Sequence, residues 1–222
     1  MAKLLINGDI VPDDEKFYYD WFDEPCTCPG MVREAVDNLQ DGETLTVEIN
    51  SPGGYVMAGQ EIYAILRGVQ NLEIHVQSIA ASAASIIACA GKCLMSPIAM
   101  VMIHNVSGSA SGDYRDMEHM SDTLKTFNQA LCQAYVSKTG KSEAEILQMM
   151  DDETWLTAQR AVELGFADGI IEDAAEPITN AGFGLKITPE MKEQVRKEIA
   201  EKENAKEAEY HSVVDDLDDF GV

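Results

Sequence analysis

The chain has 222 residues, of which 45% are hydrophobic and 25% charged, values that fit a folded globular protein and exclude general disorder. Its 16 basic and 39 acidic residues give a formal net charge of -23, which repels nucleic-acid backbones and anionic membranes. One main domain is expected, because single domains commonly reach about 200 residues.

The cysteine content and the apolar segments indicate a cellular compartment. The five cysteines form an odd set, and no basic, apolar leader precedes the first strand-like run. The most apolar region, residues 79–91, is interrupted by serines and is shorter than the roughly 20 residues that span a bilayer. We therefore expect a cytoplasmic protein with neither nucleic-acid nor membrane partners.

Strand-like and helical patterns alternate along the chain, and this alternation predicts α/β layers. Five strands are predicted, at residues 3–6, 45–49, 73–79, 94–95 and 99–103.

Four helices are predicted between and after these strands. Two of them, at 58–69 and 117–134, show apolar residues at helical spacing. The third opens at a capping box formed by Ser142 and Glu145, and Thr157 is the predicted cap of the fourth.

The chain divides into a domain and a charged extension. We assign residues 1–173 to the domain and 174–186, rich in small residues, to a linker. Residues 187–222 are assigned to a charged helix and an acidic tail. Thr188 and Pro189 are the start signal of that helix, and the aspartates of the tail repel one another, which predicts a flexible end.

Ser82 is a candidate nucleophile for acyl transfer. It directly follows the third predicted strand and opens an apolar run, so it is expected at a strand-to-helix turn. Such a position lies beside unpaired amides and the positive end of a helix dipole. The residues alone leave alternatives open: Ser82 as a helix N-cap, or Ser78 or Ser85 as the nucleophile.

Three further patterns bear on chemistry. His104 ends the strand at 99–103, where it is a candidate general base or else a hydrogen-bonded structural histidine. The sequence Asn-Ser-Pro-Gly-Gly at 50–54 permits close approach to a ligand or forms a simple turn, and it lacks the ending of a phosphate-binding loop. Cys26 and Cys28 are too few ligands for a metal site. We expect no cofactor and no metal.

Several of these motifs, in this order and at this spacing, resemble the Clp protease proteolytic subunit family. The similarity extends over residues 3–172. The motifs are Asn50 to Gly54, Ala80 to Ser82 with the run to Gly91, Val101 to His104, Thr139-Gly140, and Thr157 to Asp168. The resemblance implies a serine-type endopeptidase with a crotonase-like α/β fold of repeated β-β-α units, followed here by the charged helical extension.

The resemblance also implies roles for particular residues. Ser82 is the expected nucleophile and His104 the expected base, and the backbone N–H groups of Gly54 and Ala83 are the expected oxyanion hole.

The acid of the implied triad departs from the family pattern. The family has an aspartate two residues before an aromatic residue, and here Glu153 and Trp155 occupy those places. Asp152 and Asp151 are rival acids, and the remaining alternative is a solvated acidic loop.

Other features resemble the phage-encoded branch of the family, the head maturation proteases. The segments 22–24 and 103–105 are similar to that branch, and the first strand begins without the family's leading segment, which argues against docking to an unfoldase ATPase. The expected substrates are scaffold or capsid polypeptides in the host cytoplasm and procapsid. The expected assembly is a homo-oligomeric ring or stacked rings, with the helix at 113–137 as the candidate inter-ring contact.

Four alternatives to a head maturation protease remain, three of them enzymes and one a non-catalytic protein. They are a housekeeping-type subunit that works with an unfoldase ATPase, a degenerate non-catalytic capsid assembly protein, a peptidase with a lysine base such as Lys92, and an acyl-CoA hydratase. The last two fit less well, because neither requires Ser82 together with His104.

Overall fold

An eight-stranded, mostly parallel β-sheet organises the residues that the computed structural model describes, 1–171 and 188–202. In chain order the strands are β1 (Ala2–Ile10), β2 (Cys26–Thr27), β3 (Leu45–Gly54), β4 (Leu72–Ala81), β5 (Lys92–Met95), β6 (Met100–Ile103), β7 (Thr154–Thr157) and β8 (Gly169–Ile170). Along the sheet the order is β2-β1-β3-β4-β5-β8, with β6 paired to β4 and β7 paired to β6. Every pair is parallel except β6 with β7, so the predicted α/β class is confirmed.

Helices connect most of these strands. They are α1 (Lys16–Trp21), which follows a 3-10 turn at Asp13–Glu15, α2 (Pro29–Asp37), α3 (Val56–Arg67), α4 (Ala83–Ala88), α5 (Tyr114–Thr139), α6 (Glu143–Asp151), α7 (Ala158–Glu163) and α8 (189–202). Buried side chains of β1, β3 and β4 pack with those of α3, α4 and α5 in one hydrophobic cluster. Within the described ranges, no helix combines the length and hydropathy needed to cross a membrane.

The five predicted strands and four predicted helices are confirmed as β1, β3, β4, β5, β6, α3, α5, α6 and α7. Both predicted caps are present: Ser142 and Glu145 form the capping box of α6, and the Thr157 hydroxyl accepts from Arg160 N in α7. The prediction of repeated β-β-α units needs correction. In the described residues two separate strands precede a helix once, in β5-β6-α5, whereas β3 and β4 are each one long strand followed by a helix, α3 and α4.

The carboxyl ends of β3, β4 and β6 meet at one edge of the sheet. β4 pairs with β5 through Val76 and then with β6 from Ile79 onward, so β6 lies beside the last residues of β4. On the other side, β3 pairs Ser51 with Ala80. Since parallel strands end at the same edge, the glycine pair that ends β3 and the residues after β4 and β6 are brought together there.

Helix α8 packs against α1. Val195 is 0% exposed, Lys192 forms an ion pair with Glu15, and Arg196 Nε donates to Tyr18 OH at 3.2 Å. Burying a valine side chain contributes about 1.5–3 kcal/mol, so the burial of Val195 stabilises α8 in this position.

The start of α8 agrees with the sequence signal, since the Thr188 hydroxyl accepts from Met191 N at 3.3 Å. The assigned linker 174–186 and the acidic tail beyond 202 lie outside the described residues. The division of the chain into domain, linker and extension therefore stays a prediction.

Val195→Asp should release α8 from α1, because a carboxylate without a partner in a fully buried position is strongly unfavourable. Limited trypsin digestion with mass spectrometry should then show cleavage at Lys192 and Arg196 at least about ten times faster than in the unchanged protein. Ala200→Asp is the matched control, since it adds the same charge at an exposed position of the same helix. Equal cleavage of the two variants would show that Val195 does not hold α8.

Candidate active site

Ser82 lies at a strained turn between β4 and α4. β4 ends at Ala81 and α4 begins at Ala83, so this serine alone forms the junction. Its φ of 53° and ψ of -123° are rare for a residue with a β-carbon, and such a backbone costs about 1–3 kcal/mol unless neighbours hold it. Two hydrogen bonds hold it here: Ser82 N donates to Met102 O at 2.9 Å, and Ser85 N donates to Ser82 O at 2.9 Å.

His104 is hydrogen-bonded to Ser82. The distance from Ser82 Oγ to His104 Nε2 is 2.7 Å, which is within the reach that a general base requires. The strand register produces this contact, because Ala81 of β4 pairs with Met102 of β6, and Ser82 and His104 follow soon after. For Nε2 to take the serine proton, the neutral ring must carry its own proton on Nδ1.

The structure also shows where the rival serines and the cysteines lie. Ser78 is exposed within β4, and Ser85 is buried and bonded to Tyr135 OH. Within the described residues, Ser82 is the one serine that is hydrogen-bonded to His104. In the same ranges the cysteines are free thiols, and no three His, Cys, Asp or Glu side chains converge as metal ligands.

The glycine pair that ends β3 lies against the nucleophile turn. A β-carbon added to Gly53 would lie 2.8 Å from Ser82 Cβ and 3.0 Å from Ala83 N, so only glycine allows this approach. Gly53 N donates to Ser51 Oγ at 3.1 Å, and Tyr55 N donates to Ile10 O at 2.8 Å. The amides on both sides of Gly54 are thus engaged, which favours Gly54 N as the loop's donor to an oxyanion.

The second candidate donor is Ala83 N. Ala83 is the first residue of α4, and the first amides of a helix have no acceptor within the helix. This amide also lies directly after the nucleophile, where the positive end of the helix dipole favours a developing negative charge.

Glu153 lies beside the end of β6, but its side chain has another partner. β6 and β7 are antiparallel and their last pair is Ile103 with Thr154, so His104 and Glu153 are the first residues beyond the ladder. The carboxylate of Glu153 instead accepts from Trp155 Nε1 at 3.2 Å. The expected hydrogen bond between Glu153 and His104 is therefore absent from the described contacts, in which the Trp155 indole is the partner of the carboxylate.

The two rival acids also have other partners. Asp151 Oδ1 accepts from Asn105 Nδ2 at 2.7 Å, directly beside His104 in the chain. Asp152 Oδ1 accepts from Gln148 Nε2 at 3.1 Å on the surface of α6.

Glu153 also has a positive φ of 48°, which marks the turn between α6 and β7 as a strained position, like Ser82.

Ser82 and His104 open into a cleft of about 940 Å³. One wall is apolar and is formed by Met102, Val106, Met120, Leu124 and Phe127. The other wall carries the carboxylates of Asp9, Asp13, Glu15 and Glu61. Of the residues that line the cleft in the described part of the chain, none is lysine or arginine. Glu15 and Glu61 are each paired with a cation outside this lining, Lys192 and Arg33 respectively. The cleft therefore suits an extended peptide.

Hydrogen bonding and burial shift two pKa values on the carboxylate wall. Hydrogen bonds from the Cys28 thiol and from Gly30 N hold the pKa of Asp13 below its usual range, so Asp13 stays ionised. Burial, together with the hydrogen bond to Glu15, raises the pKa of Tyr55, so this hydroxyl stays protonated and donates to Glu15 Oε1 at 2.9 Å. Asp13 therefore contributes a negative charge to this wall at neutral pH.

Two contacts were missed by the sequence reasoning. Ser51 Oγ donates to Gly8 O at 2.6 Å and fixes the glycine loop against β1. Ser85 joins Ser82 O to Tyr135 OH. No local pattern predicts the bonds from Ser51 to Gly8 or from Ser85 to Tyr135, because their partners are 43 and 50 residues apart in the chain.

Comparisons with known proteins agree with this arrangement. The family model described as Clp protease matches residues 34–174, which include Ser82, His104 and Glu153. ATP-dependent Clp protease proteolytic subunit 1 of Chlamydia trachomatis serovar D is 32% identical over 164 residues, covering 68% of this chain and 84% of that protein. The protein of the same name from Protochlamydia amoebophila is 37% identical over 142 residues, covering 61% of this chain and 68% of that one.

A solved structure supports the fold. A point mutant of ClpP1 from Listeria monocytogenes is similar with a TM-score of 0.63 and 22% identity, covering 78% of this chain and 92% of that chain. At this identity the similarity bears on the fold alone.

Gly53→Ala should slow the reaction of Ser82 with a fluorophosphonate by about a hundredfold or more. The added β-carbon would lie 2.6 Å from Ala81 O and against the Ala83 amide, so the turn must shift. Gly42→Ala is the control for backbone strain, since Gly42 also has a positive φ, 76°, but has nothing within 4 Å of an added β-carbon. Labelling of Gly53→Ala at the unchanged rate would contradict the close approach.

Proposed function

We propose that this chain, which belongs to the Clp protease family, hydrolyses peptide bonds with Ser82 as the nucleophile and His104 as the general base. The predicted enzyme class, a serine-type endopeptidase, is confirmed by the family match and by relatives that are named proteolytic subunits. The assignment of individual residues is our proposal.

The observation that carries the proposal is the 2.7 Å contact between Ser82 Oγ and His104 Nε2 at a strained strand-to-helix turn. A structural N-cap would direct the serine hydroxyl to an amide in the first turn of α4, but Ser82 makes no side-chain cap hydrogen bond there. The hydroxyl is directed to a base, which is the arrangement that activates a serine.

The proposed reaction has two halves. Ser82 Oγ attacks the carbonyl carbon of the scissile peptide while His104 Nε2 takes the hydroxyl proton, and the amides of Gly54 and Ala83 donate to the oxyanion. The adduct collapses, the C–N bond breaks, and His104 gives its proton to the leaving amine. Water then attacks the acyl-enzyme with His104 again as base, which releases the acid product and restores Ser82.

We assign the orienting role in this reaction to Glu153. Its position supports the assignment, since Glu153 and His104 directly adjoin the last pair of the β6–β7 ladder, Thr154 and Ile103. Rotation of the carboxylate away from Trp155 Nε1 would bring it toward the imidazole. Asp151 is the alternative acid, because it already holds Asn105 next to His104.

We also propose that the active form is a homo-oligomer, a ring or stacked rings whose serines face an enclosed chamber. The first turns of α5 support an assembly, since Tyr114 and Met117 are large, exposed and apolar there. The same helix lines the cleft through Met120 and Leu124, so contacts on α5 would bear directly on the site.

The polypeptide substrate distinguishes two versions of this function. Relatives named ATP-dependent proteolytic subunits support a housekeeping-type enzyme that receives unfolded chains from a partner ATPase. A role in phage head maturation, with scaffold or capsid precursors as substrates, is supported by the sequence resemblance. The contact between Ser82 and His104 weighs against a degenerate assembly protein.

Intact mass spectrometry after fluorophosphonate treatment tests the nucleophile. Under native, assembled conditions we expect one adduct per unchanged subunit and none on Ser82→Ala. Ser78→Ala is the matched control, because it removes an exposed hydroxyl from the preceding strand and should keep the adduct. An adduct that persists in Ser82→Ala would reject Ser82, and no adduct on the unchanged oligomer would favour a non-catalytic protein.

Glu153→Gln should lower kcat by about a hundredfold or more, because a neutral amide cannot stabilise the imidazolium that forms on His104. Asp152→Asn, a matched change in the neighbouring residue, should leave kcat within about twofold. Steady-state hydrolysis of a fluorogenic peptide measures both. An unchanged kcat in Glu153→Gln would transfer the orienting role to Asp151.

A further inference from the structure

A buried chain of two hydroxyl groups ends on the carbonyl of Ser82. Ser85 Oγ lies 2.6 Å from Ser82 O and 2.7 Å from Tyr135 OH. Ser85 is 1% exposed and Tyr135 is 2% exposed, so water competes with neither bond. The reaction proposed above uses neither hydroxyl, yet both converge on the nucleophile residue.

The direction of these hydrogen bonds follows from counting donors. A carbonyl oxygen can only accept, so the single proton of the Ser85 hydroxyl goes to Ser82 O. Tyr135 OH must then donate to Ser85 Oγ. Burial raises the pKa of Tyr135, which keeps its hydroxyl protonated and able to donate.

The carbonyl of Ser82 and the N–H of Ala83 belong to the same peptide group. That group is planar and trans, so holding the carbonyl also sets the direction of the amide. Ser85 holds this carbonyl twice, through its backbone N at 2.9 Å and its hydroxyl at 2.6 Å. Two donors on the oxygen also polarise the peptide, which strengthens the Ala83 N–H as a donor.

We propose that Ser85 and Tyr135 are positioning residues whose hydroxyls orient the peptide between Ser82 and Ala83, so that the Ala83 amide points at the oxyanion. This inference rests on the proposed function. Tyr135 belongs to the buried part of α5, where its ring lies 5.8 Å from that of Phe166. The chain of hydroxyls therefore ties α5 to the turn that carries the nucleophile.

Two deletions test the proposal in the full-length assembled protein. Ser85→Ala should lower kcat for a fluorogenic peptide by about tenfold to a hundredfold, and Tyr135→Phe by a smaller factor, with KM within about twofold in both. Ser96→Ala and Tyr63→Phe are the matched controls. Each removes one hydroxyl from a partly buried residue outside the cleft and should leave kcat unchanged.

A peptide boronic acid separates positioning from a merely structural role. Its tetrahedral adduct with Ser82 places an oxygen where the oxyanion forms, so its affinity should fall by the same factor as kcat/KM. The double variant of Ser85→Ala and Tyr135→Phe should be no slower than Ser85→Ala, because Tyr135 acts through Ser85.

The outcomes are distinguishable. Hydrolysis by the unchanged protein and its loss in Ser82→Ala are measured first, and absence of hydrolysis overturns the proposed function and the positioning role with it. With hydrolysis present, an unchanged kcat in Ser85→Ala, or losses that multiply in the double variant, overturns the positioning role alone. If Ser85→Ala does not assemble, Tyr135→Phe decides: lower kcat and weaker boronate binding at constant KM support the role, and unchanged values reject it.

Discussion

The positive-φ backbone of Ser82 is the conformation on which the arrangement of the site depends. At φ 53° the chain leaves β4 and enters α4 within one residue, so the Ser82 hydroxyl faces His104 while the Ala83 amide opens the helix. All six residues of α4 are buried, and this burial stabilises a helix that would otherwise be too short to persist. The strain is thus offset by packing and by hydrogen bonds to both peptide groups of Ser82.

The parallel strands explain why the residues of the candidate active site meet at one edge of the sheet. β3 contributes the glycine pair, β4 leads into Ser82, and β6 leads into His104, each at its carboxyl end. The antiparallel strand β7 then returns the chain so that Glu153 reaches the end of β6. The sheet therefore brings together the proposed nucleophile, base and oxyanion amides and a candidate acid from segments that are far apart in sequence.

Helix α5 contributes to the site in two ways. Its middle turns provide Met120, Leu124 and Phe127 to the apolar wall of the cleft. Its buried last turns place Tyr135 against Ser85, and so against the carbonyl of the nucleophile. Because one rigid helix makes both contacts, a displacement of α5 would alter the cleft and the nucleophile turn together.

The sequence by itself determined the α/β class, the longer strands and helices, the caps at Ser142 and Thr157, and the pairing of Ser82 with His104 as candidates. These features follow from local periodicity, capping chemistry and motif order, which a linear chain displays directly. The strands β2, β7 and β8 and the helices α1 and α2 were not predicted. The strands β2 and β8 have two residues each, and segments so short have no period to detect.

Only the tertiary structure decided where the remaining side chains point. Sequence placed Glu153 two residues before Trp155, but only the folded structure shows that its carboxylate accepts a hydrogen bond from the Trp155 indole. Ser85 and Tyr135 are 50 positions apart, and their contact exists because α5 packs over α4. Hydrogen bonds between distant segments carry no local signal, since each partner alone resembles an ordinary core residue.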